Sequence, residues 1–306
     1  MIPDQYTIQE FYLEVSHHHK LCVQEWGSKD QEIAIINIHG GPGGGTSNNA
    51  KNKFDPKIER VIFFDQRGSG NSLPKGKLEH NNTDELVEDI KAILDKLKLK
   101  SVILIGGSWG STLALCYAIK YPETVKGMVL DGVFTATKEE SAWSNKGGWK
   151  TFFPELWQNS IKDVPSQYKD NPGEYYAEKS NSKDKIEAKK AIYEYSSAET
   201  ALVKLDPLSP SQDFENFDET SGAIELHYLR HDWFLKNNYI HKNTDKLKMP
   251  ITIIQGQYDM VCPPIFAYKL DQTLPNSELI WTLNGHIKEH EAFNIRHLAI
   301  KRLMKD

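Results

Sequence analysis

The chain carries short, almost uninterrupted apolar runs, each ending in glycine or a charge. Residues 33–38, 60–64, 102–105, 127–130, 250–254 and 279–283 are such runs. Stretches with helical spacing of apolar positions lie between them, as at 83–97 and 111–121. A short run without polar alternation suits a strand buried on both faces. Such strands alternating with helices predict an α/β protein with a mostly parallel sheet. Residues 11–15 and 22–26 read as two further strands joined across His17, His18 and His19. Adjacent side chains there point to opposite sides, so three consecutive histidines cannot all face one ion. A solvated hairpin turn is predicted instead of a metal site.

From residue 135 the pattern changes. Strand signals vanish, aromatic, lysine and glutamate residues rise, and helices are predicted over 184–196 and 215–236. This predicts a helical cap over 135–240, inserted between two parts of one core, 1–134 and 241–306. The lysine-rich run at 179–190 is interleaved with acidic residues and reads as a solvated face.

Composition narrows the function. The chain has 306 residues, room for one large domain with an insertion. Its net charge of -5 leaves no basic surplus for nucleic acid. No apolar run approaches the ~18 residues needed to span a bilayer. The first residues are polar, unlike a signal peptide. Cys22, Cys116 and Cys262 lack metal-ligand spacing and read as free thiols, so a reducing cytoplasm is expected. Oligomeric state has no signature in the sequence.

Candidate chemistry centres on Gly106-Gly107-Ser108-Trp109-Gly110. It follows a predicted strand and opens a predicted helix, the context a G-x-S-x-G nucleophile turn requires. The α/β-hydrolase order then calls for an acid and a histidine downstream. Asp259 and His286 each follow a late strand and are the candidates, with Asp131 the competing acid and His290 the less suitable base. In that reading Ser108 attacks a carbonyl, His286 carries the proton and Asp259 orients the ring. The oxyanion donors are the N–H groups of Trp109 and Gly41, the latter chosen because glycine lets the backbone come close. The loop His39–Gly45 lacks the lysine and hydroxyl ending of a phosphate cradle.

These motifs together resemble the proline iminopeptidase family of serine peptidases. The resemblance rests on His39–Gly45, Asp65-Gln-Arg-Gly-Ser-Gly-Asn-Ser72, Gly106–Leu115, Gly256–Pro263 and Gly285-His286. It implies an α/β-hydrolase fold and release of N-terminal proline from peptides, with no metal or organic cofactor. It also implies two cap glutamates for the substrate's amino group, matched by Glu199 and Glu225, and Phe134 as a pocket wall. The chain departs from the family at Tyr195 and Ala198, where tryptophans flank the first glutamate. Asp131 stands where the family commonly has arginine. Thr137 and Asn145 replace an arginine and a tyrosine. These changes bear on the width of the pocket and leave the proposed triad positions intact. Two rival readings remain: a small-ester or amide hydrolase on the same fold, and a non-catalytic ligand receptor. An aspartate-nucleophile dehalogenase or epoxide hydrolase is disfavoured by Ser108.

Overall fold

The computed structural model describes residues 1–205, 213–287 and 290–305; the side chains of Lys204 and His290 lie outside that description. One sheet forms the centre. Its strands are β1 (Thr7–Glu14), β2 (Lys20–Gly27), β3 (Ala34–Ile38), β4 (Arg60–Phe64), β5 (Val102–Ser108), β6 (Val125–Val133), β7 (Ile251–Gly256) and β8 (Ser277–Thr282). They lie in the order β1-β2-β4-β3-β5-β6-β7-β8. Pairing is antiparallel for β1 with β2 and β2 with β4, and parallel for every other pair. This is the α/β-hydrolase arrangement expected from the sequence.

Burial explains the order. The most apolar strands, β3, β5, β6 and β7, are covered on both faces and occupy the middle. β1 and β8 keep exposed positions and form the edges. Side chains alternate between faces along each central strand. Ile36, Leu104, Leu130 and Ile253 meet the apolar sides of α1 (Thr83–Leu97) and α2 (Trp109–Lys120). Ile35, Ile103, Val129 and Ile254 meet Ala299, Ile300 and Leu303 in the last helix, His290–Lys305.

Between β6 and β7 the chain forms helices α3 (Lys138–Asn145), α4 (Pro154–Ile161), α5 (Pro172–Lys179), α6 (Lys185–Lys204) and α7 (Thr220–Arg230). α8 (Pro264–Asp271) follows β7, and the last helix is α9. No helix among the described residues is long and apolar enough to cross a membrane.

Two expectations need correction. The helix expected over 215–236 is shorter, because Asp232, Trp233 and Phe234 all have positive φ and end it after α7. That reversal buries the Trp233 ring against Trp109 and Phe134, and burial of a large aromatic outweighs helical continuity. The histidine turn is also only partly solvated. His17 and His18 are exposed, but His19 is fully buried and its Nε2 bonds the Glu79 carbonyl at 3.0 Å.

Candidate active site

Ser108 ends β5 and immediately precedes α2, with φ 55° and ψ -129°. A non-glycine residue held there costs about 1–3 kcal/mol, which surrounding structure must offset. The flanking glycines make the turn possible. A methyl at Gly106 would overlap the Gly110 carbonyl, and one at Gly110 would overlap the Ile38 carbonyl. Ser111 Oγ donates to the Ser108 carbonyl at 2.6 Å, tying the turn to the helix start.

Asp259 and His286 come from the loops after β7 and β8. His286 Nδ1 donates to Asp259 Oδ2 and Oδ1 at 3.0 and 3.1 Å. Asp259 is almost wholly buried, and its Oδ1 also accepts the backbone N–H groups of Cys262 and Val261 at 2.8 and 3.0 Å. Burial pushes the His286 ring toward neutrality, but the Asp259 carboxylate outweighs it and holds the pKa well above the usual histidine value. Burial pushes the neighbouring Cys262 thiol up, so it stays neutral. Gly132 fits between the two loops: a methyl on it would press on Asp259 Oδ2 at 3.1 Å. Ser108 and His286 face one cavity, with no hydrogen bond between them among the described residues.

The competing acid is occupied elsewhere. Asp131 Oδ2 accepts from Arg296 Nε at 3.1 Å and also from Arg296 Nη2. A cation from α9 thus compensates the acidic residue that replaces the family's arginine. The backbone of His290 begins α9, and its side chain is outside the described residues.

The glycine-rich loop is held in one orientation. His39 Nε2 accepts the Gln66 N–H at 3.0 Å, which leaves Nδ1–H to donate to the Gly40 carbonyl at 2.8 Å. Gly44 N–H adds a second bond to that carbonyl at 3.2 Å. In a trans peptide the N–H points opposite to the C=O, so this pins the direction of the Gly41 N–H. Gln66 spans the two proposed donors: its Nε2 donates to the His39 carbonyl at 2.8 Å, and its Oε1 accepts from the Trp109 indole at 2.9 Å. Burial keeps the His39 pKa below the usual value, so the ring remains neutral.

On the helical side of Ser108 lies a cavity of about 80 Å³ that includes Gly41, Phe134, Glu199 and Glu225. At roughly 10–15 Å³ for one water-sized group, it has room for a small ring and little more. Trp149, Trp157, Tyr176 and Trp233 supply apolar walls. Both glutamates line the cavity close enough for their carboxyls to interact, and Tyr195 donates to Glu225 Oε1 at 3.2 Å. Burial raises both carboxyl pKa values, Glu225 further because the Glu199 charge adds to it. The pair therefore holds a proton in the absence of another cation. Asn145 also lines the cavity, and its buried Oδ1 has no hydrogen-bond partner among the described residues. Thr137 caps α3 instead.

Sequence reasoning missed His39, Gln66, Gln255 and Arg296. The His-Gly-Gly and Asp-Gln-Arg-Gly runs signalled loops, but not that they bond each other. Gln255 links Val133 N–H, at 3.1 Å, to the Cys262 carbonyl, at 2.9 Å, beneath Asp259. The one group of possible metal ligands among the described residues is His17, His80 and Glu85, and it lines neither cavity.

Residues 33–287 match the model of the alpha/beta hydrolase fold family. The chain is 34% identical over 284 residues to a proline iminopeptidase of Neisseria gonorrhoeae, covering 90% of this chain and 89% of that one. It is 34% identical over 274 residues to a proline iminopeptidase of Arabidopsis thaliana, covering 87% and 72%. A solved proline iminopeptidase-related protein from Thermus thermophilus superposes with a TM-score of 0.63 at 20% identity, covering 97% and 98%, which supports the shared fold.

Proposed function

Given that this chain belongs to the proline iminopeptidase family of α/β hydrolases, we propose that it releases N-terminal proline from peptides through an acyl-enzyme on Ser108. The observation that carries the reading is that the buried carboxyls of Glu199 and Glu225 line the same cavity as Ser108. Two buried carboxyls repel each other once both ionise. A protonated secondary amine relieves that repulsion and is drawn in with its scissile carbonyl directed toward Ser108. A blocked amine has no charge to offer, which makes a free N-terminus compulsory. Phe134 and the neighbouring aromatic residues form the walls for the proline ring.

In this mechanism Ser108 Oγ attacks the carbonyl carbon while His286, acting in its unprotonated form, takes its proton. Asp259 stabilises the resulting imidazolium. The N–H groups of Gly41 and Trp109 receive the oxyanion. Collapse breaks the C–N bond, and His286 protonates the departing amine. Water then attacks the prolyl ester, giving its proton to His286, and Ser108 is released with its hydroxyl restored. Residues 135–240 act as the cap that supplies the amine site, and 1–134 with 241–306 as the core that supplies the chemistry.

The test is hydrolysis of prolyl-β-naphthylamide, N-acetylprolyl-β-naphthylamide and alanyl-β-naphthylamide. The unblocked prolyl substrate should be cleaved and the acetylated one spared. Ser108→Ala should lose practical turnover with its thermal unfolding retained, since the remaining groups give only ~10³–10⁴-fold catalysis over water. Equal cleavage of blocked and free substrates would point to a general ester or amide hydrolase.

A further inference from the structure

A second cavity, of about 410 Å³, meets Ser108 from the side of His286 and contains neither cap glutamate. The departing nitrogen must lie beside His286 to receive its proton, so the leaving residue belongs on this side. Lys53 and Arg296 both line it. One ring, Phe293, brings the two cations together: Lys53 Nζ lies 5.8 Å and the Arg296 guanidinium carbon 5.5 Å from its centroid. Asp131 takes up Arg296 through Nε and Nη2 and cancels its charge. Lys53 has no ion-pair partner among the described residues, so of the described lining residues Lys53 and Arg296 outnumber the one carboxylate, Asp131. Partial desolvation of its ammonium, and then the nearby Arg296, lower the Lys53 pKa, although the residue as a whole stays exposed. An anion between them would relieve that crowding.

We propose that Lys53, with Arg296 beside it, forms a subsite for the C-terminal carboxylate of the leaving residue, and that the preferred substrates are therefore short, zwitterionic peptides. This rests on the aminopeptidase reading above. The two cavities then have opposite character on either side of Ser108. The acidic one takes the cationic N-terminus, and the basic one takes the anionic C-terminus. A long peptide or a C-terminal amide satisfies only the first.

The test compares kcat/KM for prolyl-alanine and prolyl-alaninamide, with prolyl-β-naphthylamide as an independent substrate. A charge-assisted contact of this kind predicts about a tenfold preference for the free acid in the wild type. The acid-to-amide ratio should fall to near one in Lys53→Met and persist in Lys53→Arg. It should also shrink with rising ionic strength. A wild type that cleaves prolyl-β-naphthylamide but treats acid and amide alike overturns the subsite alone. So does a ratio that Lys53→Met leaves unchanged. A wild type that cleaves none of the three overturns the aminopeptidase reading and the subsite with it.

Discussion

Two carboxyl groups facing each other away from water stay together only through a shared proton or a bound cation, and this governs what Glu225 does for stability and, in the proposed function, for binding. The raised pKa of Glu225 means that the folded chain keeps a proton the unfolded chain releases near the ordinary value of 4.5. The folded state therefore binds more protons above that pH, and stability falls as pH rises through the folded pKa. Glu225→Gln removes the titration while keeping a donor for Glu199. We expect its Tm at neutral pH to exceed that of the wild type by about 2–4 °C, equivalent to ~1 kcal/mol. The gap should widen between pH 5 and 8 in calorimetric scans. The same substitution should reduce prolyl-peptide hydrolysis far more than hydrolysis of an ester without an amine. Equal losses on both substrates would contradict amine anchoring, and a Tm gap independent of pH would contradict the shared proton.

At the scale of elements, apolar runs and helical periodicity were enough to find every strand of the sheet and the two helices that flank the nucleophile turn. Their ends differed by a few residues because glycine loops continue the pairing beyond the last apolar side chain, as in β5, which reaches Ser108. The 215–236 segment was misread because Trp233 supports a helical pattern locally but is buried by reversing the chain. The turn itself depends on contact between elements. Gly110 lies against the Ile38 carbonyl at the start of the glycine-rich loop. Gly110→Ala should cost about 1–3 kcal/mol by overpacking. It should also lower kcat more than it raises KM, because the displaced loop carries Gly41. Denaturant unfolding and steady-state kinetics on prolyl-β-naphthylamide check this; an unchanged kcat would separate the loop from the chemistry.

For the whole molecule, the decisive relation is how the inserted helices sit on the sheet. Trp233 is at that junction, packed on Trp109 and Phe134, with its indole donating to Ser141 Oγ at 2.8 Å. Tyr228 donates to Asn81 Oδ1 at 2.9 Å, and Trp143 to the Met260 carbonyl at 2.8 Å, adding polar ties across the same boundary. Trp233→Ala should destabilise the protein by about 3–5 kcal/mol, as expected for losing a buried aromatic. Measured in urea, a loss under 1 kcal/mol would mean that the junction relaxes and contributes little.

The sequence by itself determined the sheet, the glycine-flanked turn at Ser108 and the loops from which Asp259 and His286 emerge. Burial periodicity and steric limits at glycine act over a few residues, so a linear reading can find them. It chose Asp259 over Asp131 only from their places after predicted strands, and it contained no sign that Gln66 joins the glycine loop to Trp109. It also could not show that Glu225 lies against Glu199 or that Arg296 neutralises Asp131. Those relations join residues far apart in the chain, and each depends on which groups tertiary packing removes from water together. Charge and hydrogen bonding at that distance follow the completed fold, because the low-dielectric surroundings that make them strong exist only after the sheet, the helices and the insertion have closed around them.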